Sequence, residues 1–300
     1  MTRPIFPSLV FAALSLGIAF CTYRVSAQPN SSRNAAERLL EVDDLTPDEA
    51  RVFMHRFRNT RLASDFVFDF HLKHYPARGR PTIYAGMLAG TWDDQGPVQR
   101  IELARSSEHS VSNTSWLIHA GGNAAIYEPA TNSEDTEGWV KVDESRVATE
   151  SLIQGTPITA FDLQFPFVYW KSFEWIKSER ILGRPAHVFD MTPPGTVQST
   201  SGNIARVRLY IDVDFTALLR AEYFDPSDKL VRQLKVLSFK KVSGQTIPKV
   251  LDFVDSGSRE KVRFEIRAAA LNQKVPNTVF DLLGTPEGSF TVSQMTFERL

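Results

Sequence analysis

Two histidines, His71 and His74, stand three residues apart, a spacing that on a helix could bring both imidazoles to one metal ion. Here they lie in the run Phe66-Val67-Phe68-Asp69-Phe70-His71-Leu72-Lys73-His74, whose alternation is that of a strand. Their rings then project to opposite faces and converge on nothing. His55, His109, His119 and His187 are scattered singly. No serine stands in a nucleophile-elbow pattern, and no glycine-rich loop opens a helix as a phosphate cradle requires. The acidic pairs Asp43-Asp44, Asp93-Asp94 and Glu134-Asp135 sit beside turn or cap signals, so they read as solvated loops. Lys240-Lys241 is an isolated pair, not a basic stripe for nucleic acid. The reading is of a protein that is not an enzyme, with no catalytic residue, no metal site, no cofactor and no nucleic-acid partner.

What remains is the chemistry of apolar binding. Phe66, Phe68 and Phe70 alternate on one face of a strand. Phe161, Leu163, Phe165, Phe167, Val168, Tyr169, Trp170, Phe173 and Trp175 crowd around Pro166, a composition that suits a lid or a cavity mouth better than a regular strand. Phe53 and Phe57 recur with Ala50 and Met54 at helical spacing. A packed core and a ligand want the same side chains, so each set also suits ordinary packing. The candidate ligand-binding residues are Phe53, Phe57, Phe66, Phe68, Phe70, Trp116, Leu163, Phe165, Phe167 and Trp170.

The elements that must position them are mostly strands. Val207, Leu209 and Ile211 alternate with Arg206, Arg208 and Asp212, and Val262, Phe264 and Ile266 alternate with Lys261, Arg263, Glu265 and Arg267. Asp225-Pro226-Ser227-Asp228, Ser243-Gly244-Gln245 and Ser256-Gly257-Ser258 supply turns at intervals too short for a crossover helix, so neighbours pair antiparallel. Further strands are predicted over 82–92, 98–105, 115–120, 124–128, 139–142, 174–182 and 185–191, with a hairpin at Gly121-Gly122-Asn123. A short helix is predicted over 35–42. A second starts at a capping box with Thr46 as N-cap, Pro47 at N1 and Glu49 at N3. The fold class is mainly β with N-terminal helices: a large curved antiparallel sheet or incomplete β-barrel of about ten to twelve strands, with a helical lid.

Residues 1–27 read as a secretory leader, with Arg3 in a short basic region, an apolar stretch from Ile5 to Phe20, and Val25-Ser26-Ala27 as the cleavage site. Bulky Phe20 before Cys21 argues against lipidation of that cysteine. Cleavage near Ala27 removes the only cysteine, and with it any disulfide, thiolate metal site or thiol nucleophile. It also removes two arginines, taking the formal net charge from −1 to −3, which draws the chain neither to nucleic acid nor to an anionic membrane. Residues 28–34 read as a disordered tether, and 35–290 as a single β domain in a periplasmic or otherwise secreted protein.

Five stretches carry a family resemblance: Glu179-Arg180-Ile181-Leu182-Gly183-Arg184-Pro185-Ala186-His187-Val188, Arg208-Leu209-Tyr210-Ile211-Asp212, Leu219-Arg220-Ala221-Glu222-Tyr223-Phe224-Asp225, Lys240-Lys241-Val242-Ser243-Gly244-Gln245-Thr246-Ile247-Pro248 and Val275-Pro276-Asn277-Thr278-Val279-Phe280. In this order, over residues 175–285, they resemble the LolA/LolB-like periplasmic lipoprotein-carrier superfamily, especially its outer-membrane lipoprotein-sorting branch. The resemblance implies a curved sheet with helices on its concave side, enclosing a vacant apolar cavity for a lipid or the acyl chains of a lipoprotein. It also implies an early-strand arginine holding the lid shut, for which Arg78, Arg80, Arg100 and Arg105 are the candidates. A protein-binding or sensor module of the same fold, partnered with an envelope membrane protein, is the alternative.

Overall fold

The computed structural model describes residues 44–107, 110–121, 124–130, 138–195, 203–282 and 295–300. The expected leader, the tether and the helix over 35–42 lie outside the described residues, as do Gly122 and Asn123 of the predicted hairpin. The described chain opens with α1 (Pro47–Asn59), started by the predicted capping box: Thr46 N donates to Glu49 Oε2 at 2.8 Å and Glu49 N to Thr46 Oγ1 at 3.3 Å.

Six strands follow: β1 (Asp65–Tyr75), β2 (Thr82–Asp93), β3 (Gly96–Ser107), β4 (Ser110–His119), β5 (Ala125–Pro129) and β6 (Trp139–Lys141). Next come two short helices, α2 (Glu144–Val147) and α3 (Ala160–Gln164), and a 3₁₀ turn, Pro166–Tyr169. A second meander runs through β7 (Ser172–Ile181), β8 (Arg184–Thr192), β9 (Arg206–Asp212), β10 (Leu218–Phe224), β11 (Leu230–Val242), β12 (Gln245–Asp255) and β13 (Lys261–Gln273), and β14 (Glu298–Arg299) closes the chain. The fourteen strands form one curved, unclosed antiparallel sheet, the predicted class; β6 and β14, at three and two residues, carry the count past the expected range.

The order across the sheet is β6-β5-β4-β3-β2-β1-β13-β12-β11-β10-β9-β8-β7. Each meander runs through sequential hairpins, and the two join where β1 pairs with β13, Phe68 opposite Ala269 and Leu72 opposite Phe264. The turn residues act as predicted: Asp225 Oδ1 accepts from Ser227 N and Lys229 N, and Asp255 Oδ1 from Gly257 N and Ser258 N.

The alternation sets the two faces. Phe66, Phe68, Phe70, Val207, Leu209, Ile211, Val262, Phe264 and Ile266 all belong to one buried cluster on the inner face. The outer face of the second meander carries ion pairs, among them Arg208 gripping Asp190 through Nε and Nη2. The central strands are less simply divided. Val67, Ala89 and Ala270, on the outer face, are buried under Val275, Val279, Phe280, Met295 and Phe297, so the chain beyond β13 folds back over the middle of the sheet. His71 and His74 part as predicted: His74 is buried with its Nε2 3.0 Å from Glu260 Oε2, while His71 stands opposite Glu265 in the register.

Two glycines shape the inner face. A Cβ on Gly90 would lie 2.1 Å from the Phe66 ring, and one on Gly86 2.5 Å from the Phe70 ring. The absent side chains let both rings lie down across β2. Substituting Gly90→Ala is expected to cost about 1–3 kcal/mol by overpacking and Phe66→Ala about 3–5 kcal/mol by cavity creation. The two sites are in contact, so Gly90→Ala should cost measurably less in a Phe66→Leu background; a denaturant-based double-mutant cycle with no coupling would contradict this packing.

Candidate binding site on the inner face

β6 and β7 occupy opposite edges of the sheet, and the chain between them crosses its inner face. This crossing segment, residues 142–171, forms one cover. Leu152 N donates to Ile158 O and Ser151 bridges Thr159, which makes a tight loop presenting Leu152, Ile153 and Ile158 to the strands of the first meander. α3 and the 3₁₀ turn follow, with Phe165 in the left-handed region between them. The aromatic stretch is thus irregular up to Trp170 and joins a strand only from Ser172 onward. The second cover is α1, whose Phe53 stacks on Phe189 of β8 at 5.8 Å and meets His187 edge-on at 4.8 Å. The cover is thus shared by the N-terminal helix and the mid-chain aromatic stretch, whose composition already suited a lid or a cavity mouth.

All ten candidate residues are buried in the one cluster. Phe161 and Phe167 pack against Tyr223 of β10, Phe165 stacks on Phe253 of β12, and Phe70 stacks on Phe264 of β13 at 4.3 Å. Between them is a void of about 10 Å³, lined by apolar residues that include Phe70, Ile101, Leu103, Trp116, Leu163 and Phe264. That is room for no more than a single water. Around this void the rings pack against one another, and Phe66 and Phe70 settle into the sheet over Gly90 and Gly86.

The covers are fastened by a few polar ties. Arg58, near the end of α1, donates from Nε to Val168 O at 2.7 Å and from Nη2 to Trp170 O at 2.5 Å, with its guanidinium over the Phe173 ring. Burial holds the Arg58 pKa below its ordinary value. The arginine that clamps the cover thus lies on the cover itself. Of the early-strand candidates, Arg78 and Arg80 are exposed and Arg100 turns to the outer face, where it pairs with Glu102 and reaches Val279 O; the Arg105 side chain lies outside the described residues. Asp162, fully buried on α3, accepts from Thr159 N, Thr159 Oγ1 and Arg232 Nη1 of β11 at 2.7–2.9 Å. Burial and the Asp162 charge push the Tyr223 hydroxyl well above its ordinary pKa. These ties were not foreseen, since an isolated Arg or Asp carries no periodic signal.

A family model described as "-like: Uncharacterized protein" matches residues 110–283, more than half of the chain. The chain belongs to that family. Among curated proteins no relative matches. Among solved structures, the chain is similar to a DUF1329 family protein from Desulfovibrio piger (15% identity, 77% of this chain and 93% of that one, TM-score 0.62). It is also similar to a putative outer membrane lipoprotein-sorting protein domain from Vibrio parahaemolyticus (11% identity, 73% and 89%, TM-score 0.61). A LolA superfamily protein from Nitrosomonas europaea aligns at 12% identity over 77% and 97%, with a TM-score of 0.58. At such identities the likeness is one of fold, and it is the fold that the five sequence stretches implied.

Two outcomes follow for the covers. Arg58→Met keeps the aliphatic reach but leaves the Val168 and Trp170 carbonyls without their donor, and should lower unfolding free energy by about 1–3 kcal/mol in denaturant titrations. His187 and His119 are both held below the ordinary histidine pKa, chiefly by burial. The unfolded chain therefore binds protons first as pH falls, so their contribution is complete above the unfolded pKa of about 6.5 and is lost on acidification through the lower folded values. Melting temperature should hold steady above neutral pH and decline toward pH of about 5, with a shallower decline in His187→Phe; equal slopes would remove His187 from the account.

Proposed function

We propose that this protein is an extracytoplasmic carrier that binds a lipid or an acylated lipoprotein non-covalently on the inner face of its sheet. The single observation that supports this most is the way the apolar face is covered. Strands of both meanders contribute to one apolar cluster, and what closes it is two segments outside the sheet, α1 and residues 142–171, joined to each other through Arg58. In this reading the filled interior belongs to the ligand-free form. An acyl chain enters when the covers part, taking the place of rings such as Phe165 and Phe167, and each methylene withdrawn from water contributes about 0.8 kcal/mol. No bond is made or broken, so the function needs neither a catalytic group nor a cofactor. The leader read at residues 1–27 would deliver the protein to the envelope, where such ligands are found.

A second reading rests on the small void. If the covers never part, the same scaffold serves as a protein-binding module whose partner is an envelope membrane protein met on the outer face. The two readings separate in one set of measurements. The carrier should retain an amphiphile on extraction from its own host's envelope, as read by native mass spectrometry. Purified protein should bind fluorescent acyl probes more tightly as the chain lengthens. Arg58→Met, which loosens the cover, should speed probe uptake. If no amphiphile is retained, no acyl probe binds, and a polypeptide partner is recovered whose capture survives Phe68→Asp, the carrier reading fails and the module reading stands.

A further inference from the structure

Among the described residues, three polar atoms on the inner face of the first meander have no hydrogen-bond partner. Gln99, on β3, is 1% exposed, and neither the nitrogen nor the oxygen of its carboxamide is paired. The indole N–H of Trp92, on β2, is buried and equally unpaired. Strand register brings them together. Gln99 stands opposite Gly90 on one side and Ile118 on the other, so its side chain shares the inner face with Ile118 and with the Phe66 ring that lies on Gly90. Trp92 is the next residue on that face along β2, its ring 5.8 Å from that of Phe66.

A carboxamide with unused donors and an unused acceptor is expensive in such a wall, where leucine would fill a similar volume without the desolvation cost. Its position along β3 gives it a use. The next inner-face residues, Ile101 and Leu103, line the void together with Phe70 and Trp116. One strand therefore presents a polar group and then an apolar recess, in the order of an acyl chain's linkage and its tail.

We infer that Gln99 and Trp92 recognise the linkage of the bound acyl chain and select an amide. This rests on the carrier reading above. A trans amide presents its carbonyl oxygen to Trp92 Nε1 on one side, while its N–H donates to Gln99 Oε1 on the other. An ester offers the carbonyl alone, and an ether offers neither partner in full.

The test compares amide-, ester- and ether-linked fluorescent probes of one palmitoyl chain and one headgroup on the mature protein. Wild type should bind the amide probe about tenfold or more tighter than the ether probe, with the ester between them. Gln99→Leu and Gln99→Met should bring the amide and ester affinities within about twofold of each other without weakening the ether probe. Because Gln99 is unpaired in the ligand-free protein, Gln99→Leu should also raise its melting temperature by about 2–4 °C. Equal binding of all three probes by wild type overturns the inference and leaves the carrier reading intact. A fall in melting temperature also overturns it, since Gln99 would then be satisfied by a buried water. Binding of none of the probes overturns both.

Discussion

Because β6 and β7 lie at opposite edges of one sheet, residues 142–171 have to traverse its full width. On the outer face they would cross a surface of charged pairs; on the inner face they meet apolar side chains from both meanders. Hydrophobic burial places the crossing inside. A segment laid over an apolar face must satisfy its own backbone, which explains why it is built from short helices, a 3₁₀ turn and the Ser151–Thr159 bridge. Its length, route and irregular conformation all follow from the strand order.

The same constraint governs how the covers are held. Aromatic contacts such as Phe161 with Tyr223 and Phe53 with Phe189 seat the covers on the sheet, but they are tolerant of small displacements. The polar ties are not. Arg232 to Asp162 fixes α3 over β11, and Arg58 fixes the end of α1 against the 3₁₀ turn. A buried carboxylate that loses its guanidinium is left as an uncompensated charge. Displaced positions of the cover are therefore poor, and the ties give it one well-defined seat.

Period-two alternation, turn residues and the Thr46 capping box were legible in the sequence because each is a local pattern with a local cause. The aromatic stretch from Phe161 was also legible as something other than a strand. What escaped were relations between distant residues. The pairing of Phe68 with Ala269 joins the two meanders across most of the chain, and the fold-back of Met295 and Phe297 buries a face that alternation alone marks as outer. The tie from Arg58 on α1 to the Val168 and Trp170 carbonyls spans more than a hundred residues and has no local signal. Gly86 and Gly90 stood in plain view in β2, but their meaning depends on which rings lie opposite them.

By itself the sequence determined an antiparallel, mainly β chain with a capped amphipathic helix and an apolar set large enough to bind or to pack, since these depend on residue type and near-neighbour spacing. Tertiary structure alone decided which rings pack against one another, which strands the mid-chain connection covers, and that Gln99 and Trp92 stand unpaired in the wall. Those outcomes turn on which side chains meet across the sheet, and such meetings are set by strand order and register rather than by distance along the chain.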